Sequence, residues 1–108
     1  LVSLVNKIKT EGKKIAAYGA AAKGNVLLNY FGIGDQIDFI ADKSEAKQGL
    51  YTPGTHILVY PPEKVYQDKP DYILILPWNI TNEIMEQFKD YHQQGGKFII
   101  PVPQVEIL

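Results

Sequence analysis

The sequence predicts an α/β protein: a three-layer sandwich on a five-stranded parallel sheet, with strand order 3-2-1-4-5 as the simplest topology, and an extra N-terminal helix. Three observations predict it. Short apolar runs alternate with segments of helical spacing, as strands and crossover helices do in a parallel sheet. The apolar residues of the first run, 14–18, are continuous, as in a strand covered on both faces. A glycine loop, Tyr18-Gly-Ala-Ala-Ala-Lys-Gly-Asn25, separates that run from a helical segment. Right-handed crossovers then leave few topologies.

Each element follows from local pattern. Leu1, Leu4, Val5 and Ile8 repeat at helical spacing and Gly12 stops them, so residues 1–12 form a leading helix and 13–108 the α/β core of one domain. A helix in progress at Leu1, with no methionine before it, is expected of a piece of a longer protein, although removal of a tag would leave the same start. Residues 14–18 are the first strand, and 23–31 a helix with Val26, Leu27, Tyr30 and Phe31 as its apolar stripe, ended by Gly32 and Gly34. Residues 37–41 form the second strand, closing at Asp42, and a polar loop with the turn pair Pro53-Gly54 runs to 55. A short third strand spans 56–59, and Pro61-Pro62 admit only a helical turn through Tyr66. The fourth strand, 71–76, carries the longest apolar run. A helix over 80–92 places Ile80, Ile84, Met85, Phe88 and Tyr91 on one side, with Asn79 or Thr81 as its cap. Gly95-Gly96 break it before the last strand, 97–100.

Composition excludes several classes. A length of 108 residues favours one domain with its own core. The absence of cysteine rules out disulfides and thiolate metal sites and fits a reducing cytoplasm. Eleven basic against twelve acidic side chains, without a basic run, argue against a nucleic-acid partner. The longest apolar run, 72–76, is too short for a bilayer, and no signal peptide is visible.

In the order 3-2-1-4-5 the first and fourth strands are neighbours and the winding reverses between them. Ligands of open α/β sheets bind at such a point, beyond the carboxyl ends of the strands. The loops 19–25, 42–55 and 77–79 converge there. Gly19, Ala21 and Gly24 read G-x-A-x-x-G. They either cradle a phosphate or make a tight turn that binds nothing, and the Ala21 methyl weakens the case for a pyrophosphate against the backbone. Lys23 and Asn25 put a cation and an amide at the helix start, where an anion would explain the lysine. Asp42 stands where a ribose-binding acid belongs, or forms a turn. Lys43, Lys47 and Gln48 could meet phosphate or sugar. His56 follows Pro-Gly-Thr on the same rim with no acid–base partner fixed by spacing, whereas His92 reads as a helix-end residue. Trp78 could stack on a ligand or pack, and Asn79 could bind it or cap. No nucleophile triad, carboxylate pair or metal cluster is evident, and Ser3 and Ser44 lack a histidine–acid context.

Four ordered stretches carry a resemblance: Tyr-Gly-Ala-Ala-Ala-Lys-Gly-Asn at 18–25, Lys-Gln-Gly-Leu-Tyr-Thr-Pro-Gly-Thr-His-Ile at 47–57, Leu-Pro-Trp-Asn at 76–79 and Gly-Gly-Lys-Phe-Ile-Ile-Pro-Val-Pro at 95–103. Together, over nearly the whole chain, they resemble the C-terminal domain of SAM-dependent sugar C-methyltransferases. Leu58 departs from the proline expected after Thr-His-Ile. The resemblance implies a Rossmann-like domain of a three-part cytoplasmic enzyme that methylates a carbon of a nucleotide-linked keto sugar, often toward deoxysugars. It implies that zinc and SAM belong to the other parts. This domain would bind no cofactor, pack on the SAM-binding domain, wall the nucleotide-sugar cleft and be inactive alone. By motif match the substrate contacts are Gly19, Lys23, Gly24, Asn25, Lys47, Tyr51, His56, Trp78 and Asn79. Two other readings stay open: an NAD- or CoA-binding Rossmann module, against which Ala21 argues, and a docking domain without ligand.

Overall fold

The computed structural model describes residues 1–20, 22–101 and 105–108, without the side chains at 22 and 23. Helix α1 (Val2–Thr10) leads into β1 (Ile15–Tyr18), α2 (Ala22–Phe31), β2 (Phe39–Ala41), β3 (Val59–Tyr60), α3 (Glu63–Asp68), β4 (Tyr72–Ile75), α4 (Thr81–Gln87), α5 (Lys89–Gln93), β5 (Lys97–Ile100) and β6 (Glu106–Ile107). The strands form one sheet of order β3-β2-β1-β4-β5-β6. The first five pair in parallel, as expected. The sixth is an addition: it runs antiparallel to β5, setting Ile107 against Ile99 and Glu106 against Ile100. Two exposed residues carry no alternation by which a sequence could announce it.

Both faces of the sheet are covered, which explains the continuous apolar runs. Ile15, Ala17, Ile40, Leu74 and Ile99 share one core layer with Val5 and Ile8 of α1 and Leu28 of α2. Ala16, Tyr18, Phe39, Ile73, Ile75 and Phe98 share the other with Val65, Ile84, Phe88 and Tyr91 of the remaining helices. Strand periodicity sends successive residues to opposite layers.

Glycine punctuates the helices as read. After α1 the N–H groups of Gly12 and Lys13 reach back to Lys9 and Ile8 carbonyls. After α2, Gly32 and Ile33 do the same to Asn29 and Leu28, and after α5, Gly95 and Gly96 to His92 and Tyr91. All three are Schellman closures, which need a left-handed residue at the first of the two positions.

Several expectations are corrected. Among the described residues of α2, Gly24 and Leu28 are buried, while Val26 and Tyr30 are 65% and 82% exposed. Gly24 and Leu28, one turn apart, turn toward the sheet, and this sends Val26 and Tyr30 to the far side. The expected helix 80–92 is instead a 3₁₀ turn, Trp78–Ile80, followed by α4 and α5. The helix breaks at Phe88 (φ −106°, ψ 30°), whose buried ring sits against Tyr18, Tyr66 and Tyr91. Neither Asn79 nor Thr81 caps with its side chain; the Thr81 hydroxyl donates to the Trp78 carbonyl at 2.6 Å. The third strand starts three residues later than expected and ends one later, because residues 56–58 belong to a turn and its return arm.

Candidate functional site

The carboxyl ends of β1, β2 and β4 are knitted into one rim. Gly19 N–H donates to Ala41 O at 2.8 Å, and Leu76 N–H to Tyr18 O at 3.2 Å. Gly19 has φ +99°, and a Cβ there would stand 2.8 Å from Pro77 Cδ. A Cβ on Gly24 would stand 2.7 Å from Leu76 Cβ. Both glycines are therefore explained by the close approach of residues 76–77 to the loop, the tight-turn alternative for this motif. Ala21 and the side chain of Lys23 lie outside the described residues. Tyr18, at the loop's entrance, has its phenol pushed above the usual range chiefly by burial, and its hydroxyl lies 3.3 Å from Gln87 Oε1.

Asp42 shapes loops. One carboxylate oxygen accepts Ala20 N–H at 2.7 Å and the other accepts Ser44 N–H at 2.8 Å, while its carbonyl accepts the Gln48 amide at 2.9 Å. A negative charge thus already occupies the Ala20 end of the glycine loop, where a phosphate was one expectation.

The polar loop folds back as an antiparallel excursion along β3. Gly49 N–H donates to Val59 O, Val59 N–H to Leu50 O and Thr52 N–H to Ile57 O, and Tyr51 bridges to Leu58. Its tip is locked by side chains. Asn25 donates to Pro53 O and accepts from the Thr55 hydroxyl at 2.8 Å; Thr55 meets Thr52, whose oxygen also accepts Ile57 N–H at 3.0 Å. Asn25, expected at an anion, clamps α2 to this turn through these bonds. His56 takes φ +55° and stacks on Tyr51, with ring centroids 4.4 Å apart and planes 7° from parallel.

Between the glycine loop and this excursion lies a cavity of about 270 Å³, lined by Ala20, Lys47, Leu50, Tyr51, Thr52, Pro53 and Val59. It brings Lys47 and Tyr51 together from the expected set. His56 touches it only through Tyr51, and Trp78 and Asn79 stand on the 3₁₀ turn after β4, outside the lining. Ala20, Leu50, Thr52, Pro53 and Val59 were missed; an adjacent Leu-Tyr pair in an otherwise polar loop is the signal that marks Leu50. A larger space, about 390 Å³, lies where β4 and β5 begin, lined by residues 69–71, Tyr91 and 94–96. That is the opposite rim from the one open α/β sheets use, and its Tyr91 hydroxyl is bonded to Pro70 O at 2.7 Å.

Among the described residues no three His, Cys, Asp or Glu side chains converge, so they do not fit a zinc ion. No helix among them is long and apolar enough to cross a membrane.

Residues 1–103 match the family described as the C-methyltransferase C-terminal domain. The chain is 40% identical over 106 residues to the C-methyltransferase NovU of Streptomyces niveus; these cover 97% of the chain and 25% of NovU, so the chain spans a quarter of that relative's length. A solved structure, the UDP-D-quinovosamine 4-dehydrogenase of Vibrio fischeri, superposes with a TM-score of 0.60 at 18% identity, covering 85% of the chain and 79% of its own, and shows a shared Rossmann-like fold.

Proposed function

Because the chain belongs to the C-methyltransferase C-terminal domain family, we propose that it is the substrate-side domain of a SAM-dependent, cytoplasmic C-methyltransferase acting on a nucleotide-linked keto sugar. The observation that carries this reading is the cavity holding Lys47 and Tyr51 on the β1–β3 side of the carboxyl-end rim. SAM, bound to polypeptide outside this chain, would supply the methyl group for a carbon beside the sugar ketone once that carbon has lost a proton. The residues here bind and wall. Lys47 offers a cation to phosphate, Tyr51 backed by His56 offers a rigid aromatic surface, and Trp78 and Asn79 border the cleft from the β4 side. Gly19 and Gly24 serve by letting residues 76–77 close the rim.

The exposed Val26 and Tyr30 support docking of α2 on the catalytic part of the same polypeptide, since the chain matches only a quarter of NovU. The NAD- or CoA-binding alternative is disfavoured by the Asp42 carboxylate on the Ala20 amide.

Transfer of radiolabelled methyl from SAM to a thymidine-diphosphate 4-keto sugar by the full-length polypeptide tests this reading. Turnover that falls in Lys23→Ala and Trp78→Ala is expected. Wild-type polypeptide that methylates none of a panel of nucleotide-linked keto sugars would refute it.

A further inference from the structure

One edge of the sheet is covered and the other is open. On the β3 side, residues 49–52 fold back as an outer arm: Gly49 N–H donates to Val59 O at 2.8 Å and Val59 N–H to Leu50 O at 2.9 Å. On the other side β6 is the last strand. Leu108 and Phe98 exchange both backbone bonds, at 2.9 and 3.0 Å. In an antiparallel pair such residues alternate with ones whose N–H and C=O point away from the partner. Those of Ile107 therefore point away from β5, to the side where no described strand pairs with them.

An unpaired edge is a template for another strand, and natural proteins blunt it with lysine, proline or a covering segment. β6 carries one charge, Glu106. Its neighbours Val105, Ile107 and Leu108 are apolar and 38%, 45% and 40% exposed.

The residues of this edge select its occupant. A two-fold axis beside β6 lays it antiparallel to its own copy, and three registers centre on residues 105, 106 and 107. Centring on Val105 sets Ile107 against position 103, a proline without an N–H to give. Centring on Glu106 sets two carboxylates directly opposite each other, which is destabilising. Centring on Ile107 meets neither obstacle. The two Ile107 residues then exchange both N–H···O bonds, and each Glu106 stands opposite the other copy's Leu108. Ile107 already faces Ile99 across β5, so a row of four isoleucines crosses four strands on one face.

We infer that a second copy of this chain binds along β6, antiparallel and centred on Ile107, joining two six-stranded sheets into one. The contact is isologous, so it closes at a dimer. This pairing is independent of what the rim cavity binds.

Sedimentation velocity on the full-length polypeptide, from about 1 to 300 μM, tests it. Wild type and Ile107→Val should pass from monomer to dimer. Ile107→Pro removes only the outward N–H, which no bond to β5 uses, and should weaken association at least ten-fold. Ile107→Lys keeps that N–H but sets like charges opposite each other across the axis, and should weaken association as much. Melting temperatures of both variants, measured where wild type is monomeric, should match wild type. A wild-type polypeptide that stays monomeric throughout overturns the inference, as does dimerisation of wild-type strength in both variants. A lowered melting temperature in both would show that another strand of the same polypeptide already fills the edge, and it overturns the second copy as occupant.

Discussion

The Asp42 carboxylate accepts the backbone N–H of Ala20 at 2.7 Å, and this bond ties the glycine loop after β1 to the turn after β2. The second oxygen holds Ser44 N–H at 2.8 Å, so one side chain sets the spacing of the two loops that flank the rim cavity. Hydrogen bonds to a charged group are worth about 1.5–3 kcal/mol. Asp42→Ala should therefore lower unfolding free energy by about 2 kcal/mol in urea titration, with Asp42→Asn in between. A change within about 0.5 kcal/mol, usual for an unconstrained surface site, would show that the latch contributes nothing.

Gly24→Ala pits two effects against each other. Replacing glycine inside a helix gains about 1 kcal/mol. The new methyl would stand 2.7 Å from Leu76 Cβ, and overpacking of that kind costs about 1–3 kcal/mol. We expect the clash to win and the melting temperature to fall. A rise would mean that α2 sits further from β4 than described.

Asn25 and Thr55 act as one unit through their 2.8 Å bond. In a double-mutant cycle of Asn25→Ala and Thr55→Val, the coupling energy should exceed about 0.5 kcal/mol. Strict additivity would indicate that α2 and the 52–57 turn are held together by other contacts.

Alkaline stability should report Tyr91. Burial raises its phenol well above the ordinary tyrosine value of about 10, and its hydroxyl donates to Pro70 O. Above pH 10 the unfolded chain gives up this proton while the folded one keeps it. Stability is therefore full below about pH 10 and falls as pH rises toward the folded value. Tyr91→Phe should cost about 1 kcal/mol at neutral pH and flatten the alkaline decline. An unchanged slope between pH 10 and 11 would contradict this assignment.

Legibility in the sequence follows physical cause. Strands β1, β4 and β5 are readable because two covered faces demand uninterrupted apolar residues, and Gly12, Gly32 and Gly95 are readable because a Schellman closure demands a left-handed residue. The inward side of α2 is not, since Val26, Leu27, Leu28, Tyr30 and Phe31 spread apolar residues over more than half of the helix circumference, and only the approach of Gly24 to Leu76 decides among them. Convergence of Lys47 and Tyr51 at the rim follows from topology. The commitment of Asn25 and Asp42 to neighbouring backbone does not, because those partners lie 28 and 22 residues away.

The central claim, that this domain walls the nucleotide-sugar cleft through its switch-point rim, is tested most directly by one titration. The full-length polypeptide, wild type and Lys47→Ala, is titrated with its nucleotide sugar beside Lys89→Ala, an exposed lysine on α5 far from the lining residues in sequence. The account predicts at least a several-fold loss of affinity in Lys47→Ala and none in Lys89→Ala. Equal affinity in all three would contradict it.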